Sequence, residues 1–323
     1  MPIARIGELE LDYERSGSGP PLLLIMGMSG TALHWGDAFL DALRRDFQLI
    51  AYDHRGVGAS SRLEGELTIT QLARDAAGLL DVLELAQAHV LGISMGGMVA
   101  QELALAHPER VRTLTLGCTY CGGPGSSFGD PEVWRGLAAA TMSGDRERAL
   151  RAAFSANVSP EMAADPAAFA RFRAIAERRP VAVSVIMAQL QACAAHDTYA
   201  RLPRLQMPTL VVHGTVDRII PFSNGELIAS RIAGARLEPL EGIGHLFFWE
   251  QPEHSAELLG AHALQPAEAG GGGAAQALQR RLGRRETVRR ARRRRSRRGA
   301  TARAHGDPPL RADGLAPARA IGL

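Results

Sequence analysis

Residues 92–96, Gly-Ile-Ser-Met-Gly, have the spacing of a nucleophilic serine held on a tight turn. Glycine on both sides of such a serine lets the backbone turn sharply and lifts the hydroxyl clear of the chain. A second match to this pattern surrounds Ser127. Only Ser94 lies between a strand-like run, residues 88–93, and a helix-like run, residues 98–106, whereas Ser127 stands in a Gly- and Pro-rich loop. We therefore expect Ser94 to be the nucleophile of an acyl-transfer reaction.

A serine nucleophile needs a general base, and the base needs a carboxylate that orients it. Asp217 comes just past the strand-like run Thr209–His213, and His245 follows the last strand-like run in the segment Gly-Ile-Gly-His. Because the carboxyl ends of parallel strands meet at one edge of a sheet, both side chains are expected beside Ser94. These residues predict a catalytic triad of Ser94, His245 and Asp217.

Acyl transfer also requires N–H donors for the oxyanion that forms when the nucleophile attacks a carbonyl. The backbone N–H of Met95 is the first candidate, because it opens the helix that follows Ser94. The second candidate is the backbone N–H of Met28, in the turn after the apolar run Pro21–Met26. Met28 and Met95 are the predicted oxyanion hole, and this chemistry implies no metal and no organic cofactor.

These residues must be positioned by the elements around them, and strand-like and helix-like runs alternate along the chain. This alternation is typical of an α/β protein with a mostly parallel sheet and helices on both faces. Strands are predicted at Leu9–Glu14, Pro21–Met26, Phe47–Tyr52, Ala88–Ile93, Val111–Gly117, Thr209–His213 and Ala235–Leu240. Helices are predicted at Ala32–Arg45, Thr68–Leu85, Met98–Ala106, Ser223–Ile232 and Pro252–Leu264.

Taken together, the motifs resemble the α/β-hydrolase superfamily, in its serine carboxylesterase and perhydrolase branch. The order of nucleophile, acid and histidine along the chain is that of the superfamily. Residues 53–60, Asp-His-Arg-Gly-Val-Gly-Ala-Ser, resemble the D-x-R-G-x-G-x-S loop of that branch. The resemblance runs over residues 8–264 and implies an α/β-hydrolase fold. Serine at the nucleophile position disfavours dehalogenase and epoxide hydrolase chemistry, which uses aspartate there.

One departure from the pattern of this branch lies in the predicted oxyanion loop. Many members carry His-Gly where this chain has Met26-Gly27. The backbone donor survives this change, whereas we expect the side-chain hydrogen bonds around the loop to be lost. A Met-Gly pair at this place is similar to polyketide methylesterases, which favours methyl esters as substrates.

Residues 122–201 interrupt the alternation, because they contain Ala- and Arg-rich helical runs and no strand-like run. We predict that they form a helical cap over the edge of the sheet, where open α/β sheets bind ligands. The α/β-hydrolase core would then consist of residues 1–121 and 202–265. Three apolar residues are predicted to line the substrate pocket: Phe154, Met187 and Phe247.

The charge of the chain is unevenly distributed. All 37 basic residues are arginine, and residues 266–323 hold 15 of them with only four acidic residues. Residues 1–265 therefore carry a formal charge of −8, which gives no reason to expect nucleic acid binding by the core. The tail, residues 266–323, is predicted to be disordered because it has few apolar residues. It is either a translation artefact of GC-rich sequence or a functional arm that binds polyanions without specificity.

The remaining signals concern location and cysteine chemistry. The chain has no apolar run of about 18 residues and no signal-peptide pattern, so we expect a cytoplasmic protein without membrane contact. The three cysteines, Cys118, Cys121 and Cys193, are too few for a disulfide framework. The isolated pair Cys118-x-x-Cys121 is not expected to bind a metal.

The main functional hypothesis is hydrolysis of a small-molecule carboxylic ester through an acyl-enzyme. The same residues would also serve a cofactor-free perhydrolase, an enol-lactone hydrolase or a C–C bond hydrolase. A ligand receptor that keeps its triad but turns over slowly is an alternative on the same fold. The acyl and alcohol groups of the substrate and the oligomeric state are left open by the sequence.

Overall fold

Eight strands form one sheet in the computed structural model, which describes residues 2–264. The sheet order is β1-β2-β4-β3-β5-β6-β7-β8. Only the β1–β2 and β2–β4 pairs are antiparallel, so β3 to β8 all end at the same edge. The strands are β1 Ile3–Ile6, β2 Leu9–Gly17, β3 Pro21–Ile25, β4 Gln48–Tyr52, β5 Ala88–Ile93, β6 Val111–Gly117, β7 Thr209–Gly214 and β8 Arg236–Leu240.

Helices cover both faces of the sheet, which confirms the predicted fold class. Along the central strands, alternate side chains enter different cores because a strand has a period of two. Leu23 and Val90 pack with one set of helices, whereas Leu24 and Leu91 pack with the other set. The core helices are α1 Asp37–Leu43, α2 Ile69–Val82, α3 Met95–Ala106, α9 Ser223–Arg231, α10 Phe247–Glu250 and α11 Pro252–Ala263.

Five further helices connect β6 to β7, and no strand interrupts them in this described segment. Four of them begin at a side chain that accepts a hydrogen bond from a backbone N–H of the first turn, which stabilises a helix start. These capping residues are Asp130, Asp145, Ser159 and Asp165. The helices are α4 Pro131–Met142, α5 Arg146–Asn157, α6 Pro160–Ala163, α7 Pro166–Arg178 and α8 Val183–Ala194. That these helices form a separate cap domain stays a prediction.

The structure differs from the predicted elements at several places, among them the short helix α10, which was not predicted. The single helix predicted at Ala32–Arg45 is broken at Gly36, whose φ of 73° separates a short 3₁₀ helix, Ala32–Trp35, from α1. The strand β1 was not predicted, because four residues are too few to establish a period. Helix α3 begins at Met95, three residues earlier than predicted, directly after Ser94.

The predicted disorder of residues 266–323 lies outside the described residues. Within residues 2–264, no helix is both long enough and apolar enough to span a bilayer.

Candidate active site

Ser94 occupies a sharp turn between β5 and α3, and its φ is 55°. This left-handed conformation is strained for a residue with a Cβ and is typical of functional sites. A Cβ on Gly92 would collide with the carbonyl oxygen of Gly96, and a Cβ on Gly96 would collide with that of Ile25. The turn therefore requires both glycines, as the sequence motif predicts. The N–H of Ser94 donates to the carbonyl oxygen of Gly117 at 2.9 Å, which ties the turn to β6.

Asp217 and His245 form a buried hydrogen bond just beyond the ends of β7 and β8. Nδ1 of His245 lies 2.6 Å from Oδ2 of Asp217. Oδ1 of the same carboxylate accepts the backbone N–H groups of Ile219 at 2.8 Å and Ile220 at 3.0 Å. Because a carboxylate only accepts, Nδ1 must carry the proton, which leaves Nε2 of His245 with a free lone pair.

The environment of Asp217 keeps this carboxyl ionised. Burial alone would raise its pKa, but the imidazoles of His245 and His213 outweigh burial and hold the pKa below the usual range of aspartate. Nε2 of His213 lies 3.4 Å from Oδ2 of Asp217 and donates to the carbonyl oxygen of Ile220 at 2.9 Å. The acceptor that orients His245 is thus charged at neutral pH.

Ser94 and His245 both follow strands that end at the same edge of the sheet, and they share no hydrogen bond in this structure. Cys118 follows directly after Gly117, to which Ser94 is bonded. The Cys118 thiol lies within 4.8 Å of ligand atoms of both Asp217 and His245. In unliganded hydrolases the serine–histidine bond is often long and tightens only when substrate binds.

The same three groups are the only cluster of potential metal ligands among residues 2–264. Burial raises the pKa of the Cys118 thiol well above its usual value, so the thiol stays protonated and is a poor ligand. The carboxylate and the imidazole are already bonded to each other. The donor set is better suited to proton transfer than to metal binding.

The predicted oxyanion loop, residues 26–32 and called the oxyanion loop below, packs directly against Ser94. A Cβ on Gly27 would lie 3.0 Å from Cβ of Ser94, so glycine allows this close approach. The predicted donors, the N–H groups of Met28 and Met95, have no acceptor among the described residues. Both are therefore available to a developing oxyanion.

Side-chain hydrogen bonds do hold the oxyanion loop, contrary to the expectation from the Met26-Gly27 pair. His54 Nε2 lies 3.0 Å from the carbonyl oxygen of Met26. The carboxylate of Asp53 accepts the N–H of Ala32 at 2.6 Å. His54 and Asp53 both belong to the loop at residues 53–60, so this loop holds the oxyanion loop in place through two hydrogen bonds.

A cavity opens beside Ser94, with an empty volume of about 300 Å³ including its mouth. Its walls come from the oxyanion loop, α3, α4, α8 and the segment after Asp217. They are almost entirely apolar and carry no charged side chain. The lining residues are Met28, Ser94, Met98, Phe128, Trp134, Leu190, Cys193, Ile219 and Ile220.

The model of the alpha/beta hydrolase fold family matches residues 20–252. This chain belongs to the α/β-hydrolase fold family.

Its relatives in this family include hydrolases of more than one kind. The chain is 33% identical to the "Putative carbamate hydrolase RutD" of Azorhizobium caulinodans, over 80% of this chain and 97% of that protein. The crystal structure of a hydrolase from Pseudomonas aeruginosa PA01 is 35% identical, with a TM-score of 0.69 over 81% of this chain and 97% of its own. The enol-lactonase from Burkholderia xenovorans LB400 is 27% identical, with a TM-score of 0.72 over 82% and 100%. These findings identify the chain as a hydrolase.

None of the three residues predicted to line the substrate pocket of this α/β hydrolase lines the cavity beside Ser94, so their role stays a prediction. Phe154 is buried in an aromatic cluster with Phe169 and Phe172, away from the cavity walls. Met187 is half exposed on the outer side of α8. Phe247 is fully buried beneath the sheet, where it packs against the backbone of β6.

The residues that do line the cavity of this α/β hydrolase carried weak signals in the sequence. Ile219 and Ile220 adjoin Asp217, which would have been a usable clue. Leu190 and Cys193 are three positions apart on one helix and so share a face. Ser127, the rejected serine, is bound through its backbone N–H to the side chain of Asn224 and lines no part of the cavity.

Proposed function

We propose that this α/β hydrolase cleaves carboxylic esters through a covalent acyl-enzyme on Ser94. The observation that carries the proposal is the buried 2.6 Å bond between Asp217 and His245 at the sheet edge where Ser94 is held at a positive φ. Nucleophile, base and orienting acid thus come from three separate strand ends. This arrangement activates a serine hydroxyl that is otherwise a weak nucleophile at neutral pH.

The proposed reaction has two acyl-transfer steps. In the first, Nε2 of His245 takes the proton of Ser94 while Oγ attacks the ester carbonyl. The oxyanion that forms accepts hydrogen bonds from the N–H groups of Met28 and Met95. Collapse of the intermediate breaks the ester C–O bond, and His245 returns the proton to the leaving alcohol. In the second, water gives a proton to His245 and attacks the acyl-enzyme. The carboxylic acid then leaves and Ser94 regains its proton.

The cavity favours a neutral and compact acyl group. Its lining contains no charge to pair with a carboxylate or an ammonium group, and burying an unpaired charge there would be costly. The cavity is also small, because its empty space of about 300 Å³ includes the open mouth. We therefore infer that the substrates are esters of short apolar acids.

Reaction of this chain with a fluorophosphonate probe tests the nucleophile, and a panel of esters tests the substrate class. Ser94→Ala should abolish labelling and lower kcat/KM by about 10³-fold or more. Ser127→Ala is the matched control, because it removes the second serine in the same motif pattern, and it should label and turn over like the wild type. Equal labelling of Ser94→Ala and wild type would overturn the proposal.

The ester panel should run from acetate to decanoate, with matched carbamates and neutral lactones. Short-chain esters should exceed decanoate in kcat/KM by about tenfold or more, because longer chains do not fit the cavity. If a carbamate or a lactone of the same acyl size is the better substrate, the triad chemistry stands but the ester assignment is wrong.

A further inference from the structure

We propose that Gln189 is a positioning residue that links helix α8 to the oxyanion loop and so holds Met28 in place for catalysis. This inference rests on the proposed acyl-transfer function. The link is a direct one. The carbonyl oxygen of the Gln189 side chain accepts the backbone N–H of Ser29 at 2.9 Å, and Ser29 is the residue directly after Met28.

The conformation of Ser29 explains why the loop needs this contact. Its φ is 60°, a left-handed value that is unfavourable for a residue with a Cβ. Such a conformation persists only where surrounding contacts hold it. Within the loop, the N–H of Gly30 donates to the carbonyl oxygen of Gly27 at 3.3 Å, and the bond from Ser29 to Gln189 ties this turn to helix α8. The Met28 N–H has no acceptor of its own among residues 2–264.

The burial of Gln189 indicates that its carbonyl oxygen has a role. The side chain is fully buried, and its amide nitrogen has no hydrogen-bond partner in the described part of the chain. A buried unpaired donor destabilises a protein, and leucine of similar size would avoid that penalty. The bond that its oxygen accepts from the N–H of Ser29 is the only polar contact of this side chain among residues 2–264.

The other contacts of the oxyanion loop show what is distinctive about Gln189. The first residue of the loop is held by His54 and the last by Asp53, both from the core. Asp53 is itself bound at 2.7 Å by Arg179, which lies between α7 and α8. Thr31 is held by the neighbouring His34, whose Nδ1 accepts the Thr31 N–H at 3.0 Å. Gln189 reaches Ser29 from a distant element, the helix whose Leu190 lines the cavity. Substrate contact with α8 can therefore reach the oxyanion donor through one side chain.

The decisive variant is Gln189→Leu, with Gln191→Leu as its matched control. Gln191 lies on the same helix with its side chain exposed. Without the acceptor, we expect Ser29 to relax and the Met28 N–H to move off the oxyanion. A misplacement of about 1 Å can cost about 100-fold in rate. Gln189→Leu should therefore lower kcat by about 10- to 100-fold while KM changes by less than about threefold.

The rate of fluorophosphonate labelling gives a readout that does not depend on knowing the substrate. The phosphoryl oxygen of the probe occupies the oxyanion position, so labelling of Gln189→Leu should slow by the same factor as kcat, and Gln191→Leu should match the wild type. Gln189→Met, which is closer in shape, should repeat the result if the leucine variant folds poorly.

The outcomes separate the inference from the function on which it rests. If wild type labels at Ser94 and Gln189→Leu or Gln189→Met labels at an equal rate, the positioning role is wrong and the proposed function stands. A raised KM with unchanged kcat would also overturn it, because Gln189 would then act in ground-state binding. If wild type does not label at Ser94, the proposed function fails, and the inference fails with it.

Discussion

Replacing Asp217 by asparagine changes the charge of the triad while keeping its shape. The amide oxygen should stay with the N–H groups of Ile219 and Ile220, since the amide nitrogen would face two donors there. The amide NH₂ then points at Nδ1 of His245, which must become an acceptor. Its proton moves to Nε2, the nitrogen that would otherwise take the proton of Ser94.

The expected loss follows from this change of tautomer. The same substitution in a serine protease triad lowers kcat by about 10⁴-fold, which corresponds to about 5.5 kcal/mol of transition-state stabilisation. We expect a loss of that order, because the bond between Asp217 and His245 is short and fully buried. The fold should be kept, since each hydrogen bond now made by the carboxylate has a counterpart in the amide.

Steady-state hydrolysis of a short-chain ester and near-UV circular dichroism together test this prediction. Glu241→Gln serves as the control, because it removes an exposed carboxylate directly after the end of β8, the strand that precedes His245. That variant should keep wild-type kcat and KM. If Asp217→Asn folds normally and keeps kcat within about tenfold of wild type, the assignment of the orienting acid is wrong.

Two further predictions concern the cavity and the pH dependence of stability. Leu190→Ala should shift the preferred ester to longer chains, whereas Met187→Ala, on the outer side of the same helix, should leave the chain-length profile unchanged. Burial lowers the pKa of His196 from 6.5 to about 4, so the unfolded chain takes up this proton first on acidification. The contribution of His196 to the free energy of unfolding should fall by up to about 3 kcal/mol between pH 6.5 and pH 4. Urea titrations at several pH values should therefore show that His196→Gln loses less stability than the wild type as the pH is lowered.

The parts of the fold that the sequence predicted best are those buried on both sides. Strand β3 matches the apolar run after Pro21 to within one residue, because a parallel strand covered by helices on both faces needs apolar residues throughout. The position of Asp217 followed from the same logic, since it comes shortly after β7, which is buried throughout. His245 instead follows the edge strand β8, which is only partly buried, and its position followed from the order of the motifs. Whether these residues catalyse the reaction stays a prediction.

The elements that were missed depend on contacts between distant segments. Predicting the cavity walls requires knowing how α4 and α8 pack beside Ser94, and no local sequence pattern encodes that packing. An aromatic residue such as Phe154 is equally suited to a pocket or to a cluster inside the helices, where it is found. Gln189 belongs to no motif, because glutamine is an ordinary residue in a helix and only its burial against Ser29 distinguishes it.

Backbone strain gives evidence about this site that does not depend on any motif. Within residues 2–264, the non-glycine residues at positive φ are Ser29, Ser94, Cys118 and Glu84. Glu84 lies just beyond the end of α2, where a left-handed residue is common. The other three lie at the same edge of the sheet: Ser29 in the oxyanion loop, Ser94 in the turn after β5, and Cys118 beside Asp217. Each such residue costs about 1–3 kcal/mol, so their convergence requires neighbours that force the conformation. Gln189 is one such neighbour, which is why its removal should affect turnover more than binding.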